Sequence, residues 1–339
     1  MIQEITAEQL IENYDDYDLI LDVRSPGEFA ESHVPGARNF YAMTDEERKE
    51  VGTIYKQVSP FEAKVKGAAY VCKNAITHID SLYPEFTPKH RIAIYCARGG
   101  MRSGSISTIF SNIGYRIDRV KGGYKAYRNE VIKYMEQFEP RRYIVLGGNT
   151  GCGKSDLLAK LHNVVDLEGL ANHYGSSFGA VNGPQPNTKA FQNNLMHAVK
   201  ATDPELPVFI ESESKRIGRL VVPTPLYEMM GKGMRVEITA PLEQRVKRII
   251  RMYENISDDF FYASMEKISP YIKRMAREEA IEAYRRGDLE SVAEILLVDY
   301  YDVVYKKPKR VDVTICNDDE AKTLEQLNNL QKEHHANRL

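Results

Sequence analysis

The stretch Arg91-Ile92-Ala93-Ile94-Tyr95-Cys96-Ala97-Arg98-Gly99-Gly100-Met101-Arg102-Ser103 changes its period midway. Arg91 to Tyr95 is an apolar run of strand length and Ser103 to Phe110 has helical spacing, so residues 96–102 form the turn between them. Strand, glycine turn and helix in succession are the unit of a parallel α/β sheet. The turn also carries chemistry. A cysteine set where backbone amides and a helix start converge, with arginines beside it, is favoured as a thiolate and has an anion cradle next to it. Cys96 is the candidate nucleophile, and Arg98, Gly99, Gly100, Arg102 and Ser103 form the candidate anion-binding loop.

Upstream, Asp18 to Val23 reads as a second buried strand. Downstream, Gly122-Gly123 is a turn, Tyr124 to Phe138 is helical, and Pro140 cannot continue that helix, which places a domain boundary near Glu139. Residues 1–139 therefore form one α/β domain and 140–339 a second. In the second, Arg142 to Leu146 (RYIVL) reads as a strand followed by Gly148-Asn149-Thr150-Gly151-Cys152-Gly153-Lys154-Ser155. That run fits G-x-x-x-x-G-K-[ST], the P-loop or Walker A pattern, in the strand-to-helix context the pattern requires. Gly148, Thr150, Gly151 and Gly153 let successive amides face a phosphate, Lys154 supplies charge, and Ser155 is placed to ligate Mg²⁺. The loop by itself suits ATP, GTP or another diphosphate equally.

Further strands are expected at Asn163 to Asp166, Pro207 to Ile210, Met234 to Thr239 and Val311 to Ile315. Leu289, Val292, Ala293 and Leu296, at i, i+3, i+4 and i+7, mark an added helical subdomain over about 257–305. The last stretch, Glu320 to Leu339, reads as a polar helix fraying into a tail. Asp166, with Glu168 beside it, and Glu211 stand at strand ends as a candidate second phosphate or Mg²⁺ site. Arg216, Arg245, Arg248 and Arg251, from the clusters 215–219 and 245–251, are candidate RNA or phosphate contacts, with Tyr253, Tyr271 and Tyr284 placed to stack bases. Further basic runs lie at 273–277, 285–286 and 306–310, interspersed with Glu278, Glu279 and Glu282, so ordinary solvated helices account for them as well.

Composition bounds the function. The 339 residues carry 46 basic and 48 acidic side chains, and 42% are apolar, which excludes a disordered or polybasic protein. Charge divides as 18 basic and 20 acidic through Glu139 and 28 of each beyond it, so nucleic acid must be met by a local patch. Four cysteines without CxxC or zinc spacing argue against a disulfide framework or a structural metal, and no metal is assigned with certainty. An acidic N-terminus without an apolar signal core, and no apolar run of membrane length, lead to the expectation of a cytoplasmic protein that engages no membrane.

Leu21-Asp22-Val23-Arg24-Ser25-Pro26-Gly27-Glu28-Phe29, His33-Val34-Pro35-Gly36-Ala37-Arg38-Asn39, the cysteine loop and Gly122-Gly123-Tyr124 resemble the rhodanese homology domain. The resemblance implies that Cys96 carries a transferable chalcogen while Asp22 and Arg24 brace its loop. Five residues separate Cys96 from Arg102 where four are usual in rhodaneses. That spacing is shared by rhodanese-fold phosphatases and is sized for a tetrahedral phosphate-like anion bearing sulfur or selenium.

The coupling of the two domains, with Glu47-Arg48, Val51-Gly52-Thr53-Ile54-Tyr55-Lys56, Gly122 to Arg128, Asp166 to His173, Gly175 to Gly179 and Glu211-Ser212-Glu213-Ser214, resembles the tRNA 2-selenouridine synthase family over essentially the whole chain. Departures at Asn39-Phe40-Tyr41 and Gln185-Pro186-Asn187-Thr188 touch neither loop. The resemblance implies replacement of sulfur by selenium in wobble 2-thiouridine of tRNA, through S-geranylation with geranyl diphosphate and then selenation with selenophosphate. It implies Cys96 as an S-selanylcysteine, tRNA as partner, the two phosphorylated compounds as co-substrates, Mg²⁺ as an optional ion and no tightly bound cofactor. The alternative is a rhodanese-type sulfurtransferase or tRNA thiolase coupled to a P-loop ATPase.

Overall fold

The computed structural model describes residues 1–83, 85–174, 178–179, 183–253, 256–305 and 308–336, without the side chains of Met252 and Tyr253. Gly175 to Ser177, the Lys306-Lys307 pair and the Tyr253 side chain, named above, lie outside the described residues. The chain divides into two compact units, Met1–Met135 with Gln192–Asn194, and Glu136–Phe191 with Leu195–Leu339.

Each unit is built on a five-stranded, wholly parallel sheet. In the first, β1 (Ile2–Ile5), β2 (Leu19–Asp22), β3 (Arg38–Asn39), β4 (Arg91–Tyr95) and β5 (Arg116–Val120) lie in the order β1-β5-β4-β2-β3. The α/β class expected from sequence is borne out, and the reason is visible in β2 and β4. Leu19 to Asp22 is buried throughout, as is Ile92 to Tyr95, the continuous apolar run of strands covered on both faces. Register pairs Asp22 with Tyr95, so Cys96 begins at the carboxyl end of β4 directly beside the end of β2. Ligands of open α/β sheets bind at that end, where neighbouring crossovers diverge.

The second sheet holds β6 (Tyr143–Gly147), β7 (Val164–Val165), β8 (Val208–Glu211), β11 (Met234–Thr239) and β12 (Val313–Cys316), ordered β12-β11-β6-β8-β7. A short antiparallel ladder, β9 (Arg216–Ile217) with β10 (Leu220–Val221), follows β8. Leu146 pairs with Glu211, which sets the glycine loop beside the acidic end of β8. The helical region contains helices Asp258–Ile268, Arg274–Arg285 and Leu289–Leu296, and their apolar faces share a core that includes Phe261, Met265, Leu296 and Tyr301.

The C-terminal segment differs from expectation. Residues Glu320–Ala336 form a continuous helix whose Leu327 is fully buried, with Leu324 and Leu330 against the same core as β6 and β11. Leucines three residues apart make a stripe on an otherwise polar helix, so the segment docks rather than frays. The sequence reading also passed over a helical hairpin, Asp45–Gln57 and Pro60–Leu82. It starts with a capping box in which Thr44 accepts from the Glu47 amide at 3.2 Å and Glu47 accepts from the Thr44 amide at 3.0 Å. Ser59 caps the second helix and Pro60 occupies its first position.

Candidate functional site

In the first unit the sulfur of Cys96 is buried under the turn it begins. Ser103 Oγ lies 3.3 Å from Sγ, and the amides of Arg98 and Ser103 also face the sulfur. Burial works to raise the thiol, but these hydrogen bonds and the charge of Arg102 outweigh it and hold Cys96 below the ordinary thiol range. Close backbone approach requires the glycines. Gly99 has φ +65°, and a Cβ on Gly123 would meet the Cys96 carbonyl at 2.1 Å and the Gly99 amide at 2.6 Å. The turn at 122–123 is thereby seated on the loop, and Tyr124 and Lys125 donate their amides to the carbonyls of Cys96 and Ala97 at 2.8 and 3.0 Å.

Beneath the loop is a buried ion pair. Arg24 Nη2 contacts Asp22 Oδ2 at 2.5 Å, its Nε donates to both Asp22 oxygens at 3.0 Å, and Nη2 also donates to the Ser32 carbonyl at 2.6 Å. The guanidinium stacks 3.8 Å from the Tyr124 ring centroid, and Tyr124 donates to Ser32 Oγ at 2.7 Å. Asp22 and Arg24 thus reach Cys96 through Tyr124, whose amide bonds the Cys96 carbonyl, and neither carries an exposed reactive group. Arg102 is turned to Glu28, which it meets at 2.6 Å and which also takes Arg48 at 3.1 Å. Burial would raise the Glu28 carboxyl, but Arg102 overrides it and brings the group down to about 2. The side chain of Arg98 is exposed at the loop and makes no ion pair among the described residues.

In the second unit the loop between β6 and the short helix Lys154–Leu158 has positive φ at Gly148, Gly151 and Gly153. A Cβ at Gly148 would strike the Ile238 carbonyl at 2.1 Å, and one at Gly153 would meet Asn317 Nδ2 at 2.6 Å. Lys154 Nζ donates to the Gly148 carbonyl at 2.7 Å and Ser155 Oγ to Glu168 at 3.3 Å. A cleft of about 240 Å³ opens here, lined by the loop, Glu168, Tyr174, Arg248 and Arg251. Three cationic side chains, Lys154, Arg248 and Arg251, reach this cleft, an arrangement that can hold a phosphate-like anion.

Of the candidate acids, Asp166 and Glu211 do not line this cleft. Asp166 caps helix Leu167–Ala171 by accepting from the Gly169 amide at 2.7 Å, and the fully buried Glu211 accepts from the Leu167 amide at 2.8 Å. The carboxylates of the cleft are the exposed Asp156, 3.9 Å from Arg248, and the buried Glu168. Burial first, and then the neighbouring Glu213 charge, push Glu168 up to about 8 in spite of Lys154. Glu213 is raised too, chiefly by burial, and Glu211 lies well above the carboxylate range through burial and Asp166. Burial also opposes the charge on Lys154, but Cys152, Glu168 and Glu213 hold the ammonium above its usual value. No group of three or more His, Cys, Asp or Glu side chains among the described residues is set to hold a metal. The protein offers Ser155 and Glu168 as two adjacent oxygen donors, which fits an ion that keeps water and phosphate in its shell, as Mg²⁺ does.

The basic residues separate by environment. Arg248 reaches the Gly151 carbonyl at 3.3 Å, Arg251 is exposed at the cleft, and Arg216 is exposed on β9. Arg245 is a correction. It is buried, donates Nε to the Thr150 carbonyl at 2.9 Å and forms a two-pronged pair with Asp302 at 2.6 and 2.9 Å, so its guanidinium is committed to shaping the loop and does not line the cleft. Arg274 pairs with Glu278 at 2.7 Å, Arg277 with Glu266, and Arg285 with Glu282 at 3.6 Å, so three of the five cations of 273–286 are engaged by carboxylates. Tyr284 is stacked on Phe261 at 3.7 Å and Tyr271 is exposed.

Several residues that position the glycine loop carry no local sequence signal. Asp302, just after the π-helical turn Leu297–Tyr301, takes both Arg245 and, at 2.7 Å, Asn149 Nδ2. Tyr305 Oη accepts from the Gly148 amide at 3.0 Å and donates to Glu237 at 2.9 Å, and Asn317 donates to the Cys152 carbonyl at 2.9 Å. All three stand more than 140 positions from their loop partners, and no local pattern marks them. Glu28 was within reach, because it lies inside the quoted rhodanese-like run.

The family model of the rhodanese-like domain matches residues 6–130, and that of the tRNA 2-selenouridine synthase AAA domain matches residues 141–282. Among curated proteins, a tRNA 2-selenouridine synthase of Sulfurovum sp. (strain NBC37-1) is 41% identical over 235 residues, covering 67% of this chain and 64% of that protein. One of Hydrogenovibrio crunogenus is 34% identical over 329 residues, 86% of this chain and 91% of that protein. One of Psychromonas ingrahamii is 32% identical over 318 residues, 85% and 87% respectively. Among the described residues no helix is long and apolar enough to cross a membrane.

Proposed function

The chain belongs to the tRNA 2-selenouridine synthase family, a family of tRNA-modifying transferases, and from that premise we propose that it works in two steps, alkylation at the glycine loop and selenation at the cysteine loop. In the first step the thiocarbonyl sulfur of wobble 2-thiouridine attacks C1 of geranyl diphosphate. A C–S bond forms, the C1–O bond breaks, diphosphate leaves and the uridine N3 proton passes to solvent. The observation that carries this assignment is the cleft where Lys154, Arg248 and Arg251 converge on the glycine loop. Cations and preorganised amides stabilise charge as it develops on a departing diphosphate. Mg²⁺, when bound, would be held by Ser155 and Glu168 and would neutralise phosphate charge.

Alkylation turns a poor sulfide leaving group into a thiolate. In the second step the ring of Cys96, Arg98, Gly99, Gly100 and Ser103 receives selenophosphate, and Cys96 acts as its nucleophile. Attack on selenium forms S-selanylcysteine and breaks the Se–P bond. The electron pair stays on phosphorus, so phosphite is released. After selenium has added at C2 and geranylthiolate has left, a solution thiol reduces the remaining S–Se bond. The C-x(5)-R spacing and Ser103 at the sulfur favour a second, redox-neutral reading. In it selenium attacks C2 directly, Cys96 takes the phosphoryl group, and water releases phosphate from sulfur. Phosphite against phosphate among the products separates the two.

The test of the division of labour is a pair of variants in the full chain. Lys154→Ala is expected to leave 2-thiouridine unmodified, and Cys96→Ser to accumulate the geranylated nucleoside. Normal geranylation by the first, or normal selenation by the second, would remove the respective assignment.

A further inference from the structure

The helical hairpin Asp45–Gln57 and Pro60–Leu82 belongs to neither loop, yet it carries Val51-Gly52-Thr53-Ile54-Tyr55-Lys56, one of the runs that mark the family resemblance. Packing alone would keep such side chains inside. Instead Tyr55 is 58% exposed and Phe61 73%, with Val58 and Val65 also exposed. Exposed large apolar side chains gathered on one element mark binding surfaces. Of these four, Tyr55 lines a groove of about 160 Å³ on the hairpin, together with Met43, Val51, Gly67, Val71 and Met101. Lys64 and Arg102 supply the charges of the lining. Met101 and Arg102 are also residues of the cysteine loop, so groove and Cys96 ring are continuous within the first unit.

Gly67 is a separate observation. It lies in the middle of a 23-residue helix, and a Cβ there would meet nothing nearer than Val51 Cγ1 at 3.7 Å, an ordinary contact. Glycine weakens a helix interior relative to alanine. No neighbour in the fold demands its absent side chain; what that absence leaves open is the groove.

We propose that the groove seats the prenyl chain carried on the sulfur of the tRNA intermediate while C2 of the same nucleotide faces the Cys96 ring. The assignment rests on the two-step reading above. The chain leaves together with the sulfur bonded to C2, so its seat has to be continuous with the selenium site. It has no hydrogen-bonding group, and the six residues named first offer an apolar wall, whereas a stacked base would leave its polar edges against that wall. Lys64 suits a nucleotide phosphate at the same place, Arg102 being held by Glu28. The groove thus distinguishes the prenylated intermediate from the unalkylated tRNA.

The chain contains no tryptophan, so Tyr55→Trp installs a single indole in the groove that can be excited selectively over the tyrosines. Titration of that full-length variant with S-geranyl-2-thiouridine is expected to blue-shift its emission, and S-methyl-2-thiouridine is not. Adding Gly67→Leu is expected to abolish the shift. Gly67→Leu alone is expected to slow selenation of S-geranyl tRNA at least tenfold with no loss of melting temperature. No shift with either nucleoside, equal shifts with both, an unchanged rate, or a dimer that holds the groove closed would each overturn the proposal. Failure of the unsubstituted protein to selenate S-geranyl tRNA would instead sink the two-step reading, while the fluorescence titration still decides the groove.

Discussion

Replacing Ser103 by alanine tests how the protein keeps Cys96 reactive. Ser103 is fully buried, and its hydroxyl lies 3.3 Å from Sγ and 3.2 Å from the Gly100 carbonyl, so its proton can turn to the sulfur when the thiolate forms. Burial raises the thiol, and the bonds from Ser103 and Arg98 together with the Arg102 charge bring it below its ordinary value. A hydrogen bond to a charged group is worth roughly 1.5–3 kcal/mol. Sulfur is a weak acceptor, so the lower end applies, which is about tenfold in the thiol–thiolate equilibrium. The two amides remain in Ser103→Ala, so the thiolate is weakened and not lost. The assay is the pH dependence of Cys96 alkylation by iodoacetamide, with Cys72, Cys152 and Cys316 replaced in both proteins. The alkylation midpoint should move to higher pH, with about tenfold slower reaction on its acid side, and Ser103→Thr should restore it. An unmoved profile in a variant with an unchanged melting temperature would refute the argument that Ser103 holds the thiolate.

Three further outcomes follow from the buried charges. Arg24→Met leaves Asp22 unpaired in the interior, which costs about 3–5 kcal/mol, and should lower the melting temperature of the first unit by roughly 10 °C; the double variant with Asp22→Asn should recover part of the loss. Glu28 is depressed to about 2, with Arg102 overcoming burial, so its contribution is present above the ordinary carboxylate value and is lost as pH falls toward 2. Glu28→Gln should therefore flatten the acid limb of stability measured by denaturant titration from pH 5 to 2. Without Mg²⁺, Glu168, raised to about 8 by burial and Glu213, gains charge beside Ser155 and Lys154 as pH rises through that value. Diphosphate affinity by calorimetry should weaken on the alkaline side relative to Glu168→Gln, and parallel profiles for the two proteins would contradict this.

Both loops were legible in the sequence because their chemistry is local. Cys96 to Ser103 and Gly148 to Ser155 each compress strand end, glycines and charged groups into eight residues, and the buried strands flanking them read as apolar runs. The supports of the loops are non-local and were not legible. Asp302 and Tyr305 reach Asn149 and Gly148 across the whole second unit, and Asn317 reaches Cys152 from beyond β12. Arg245 and Arg248 look equivalent in sequence, three residues apart on one helix, yet Asp302 claims the first and leaves the second at the cleft. Asp166 and Glu211 looked like ligands because they end strands, and the fold uses both to fasten helix Leu167–Ala171. The C-terminal helix hid a leucine stripe within a polar composition.

The central claim is that one chain alkylates and then selenates the same nucleotide. Its most direct test is incubation of the full-length protein with tRNA bearing wobble 2-thiouridine, omitting geranyl diphosphate or selenophosphate in turn, followed by digestion and mass spectrometry of the nucleosides. The expected products are S-geranyl-2-thiouridine when selenophosphate is left out, unmodified 2-thiouridine when geranyl diphosphate is left out, and 2-selenouridine only with both. Selenouridine formed without geranyl diphosphate, or no geranylated nucleoside under any condition, would contradict it.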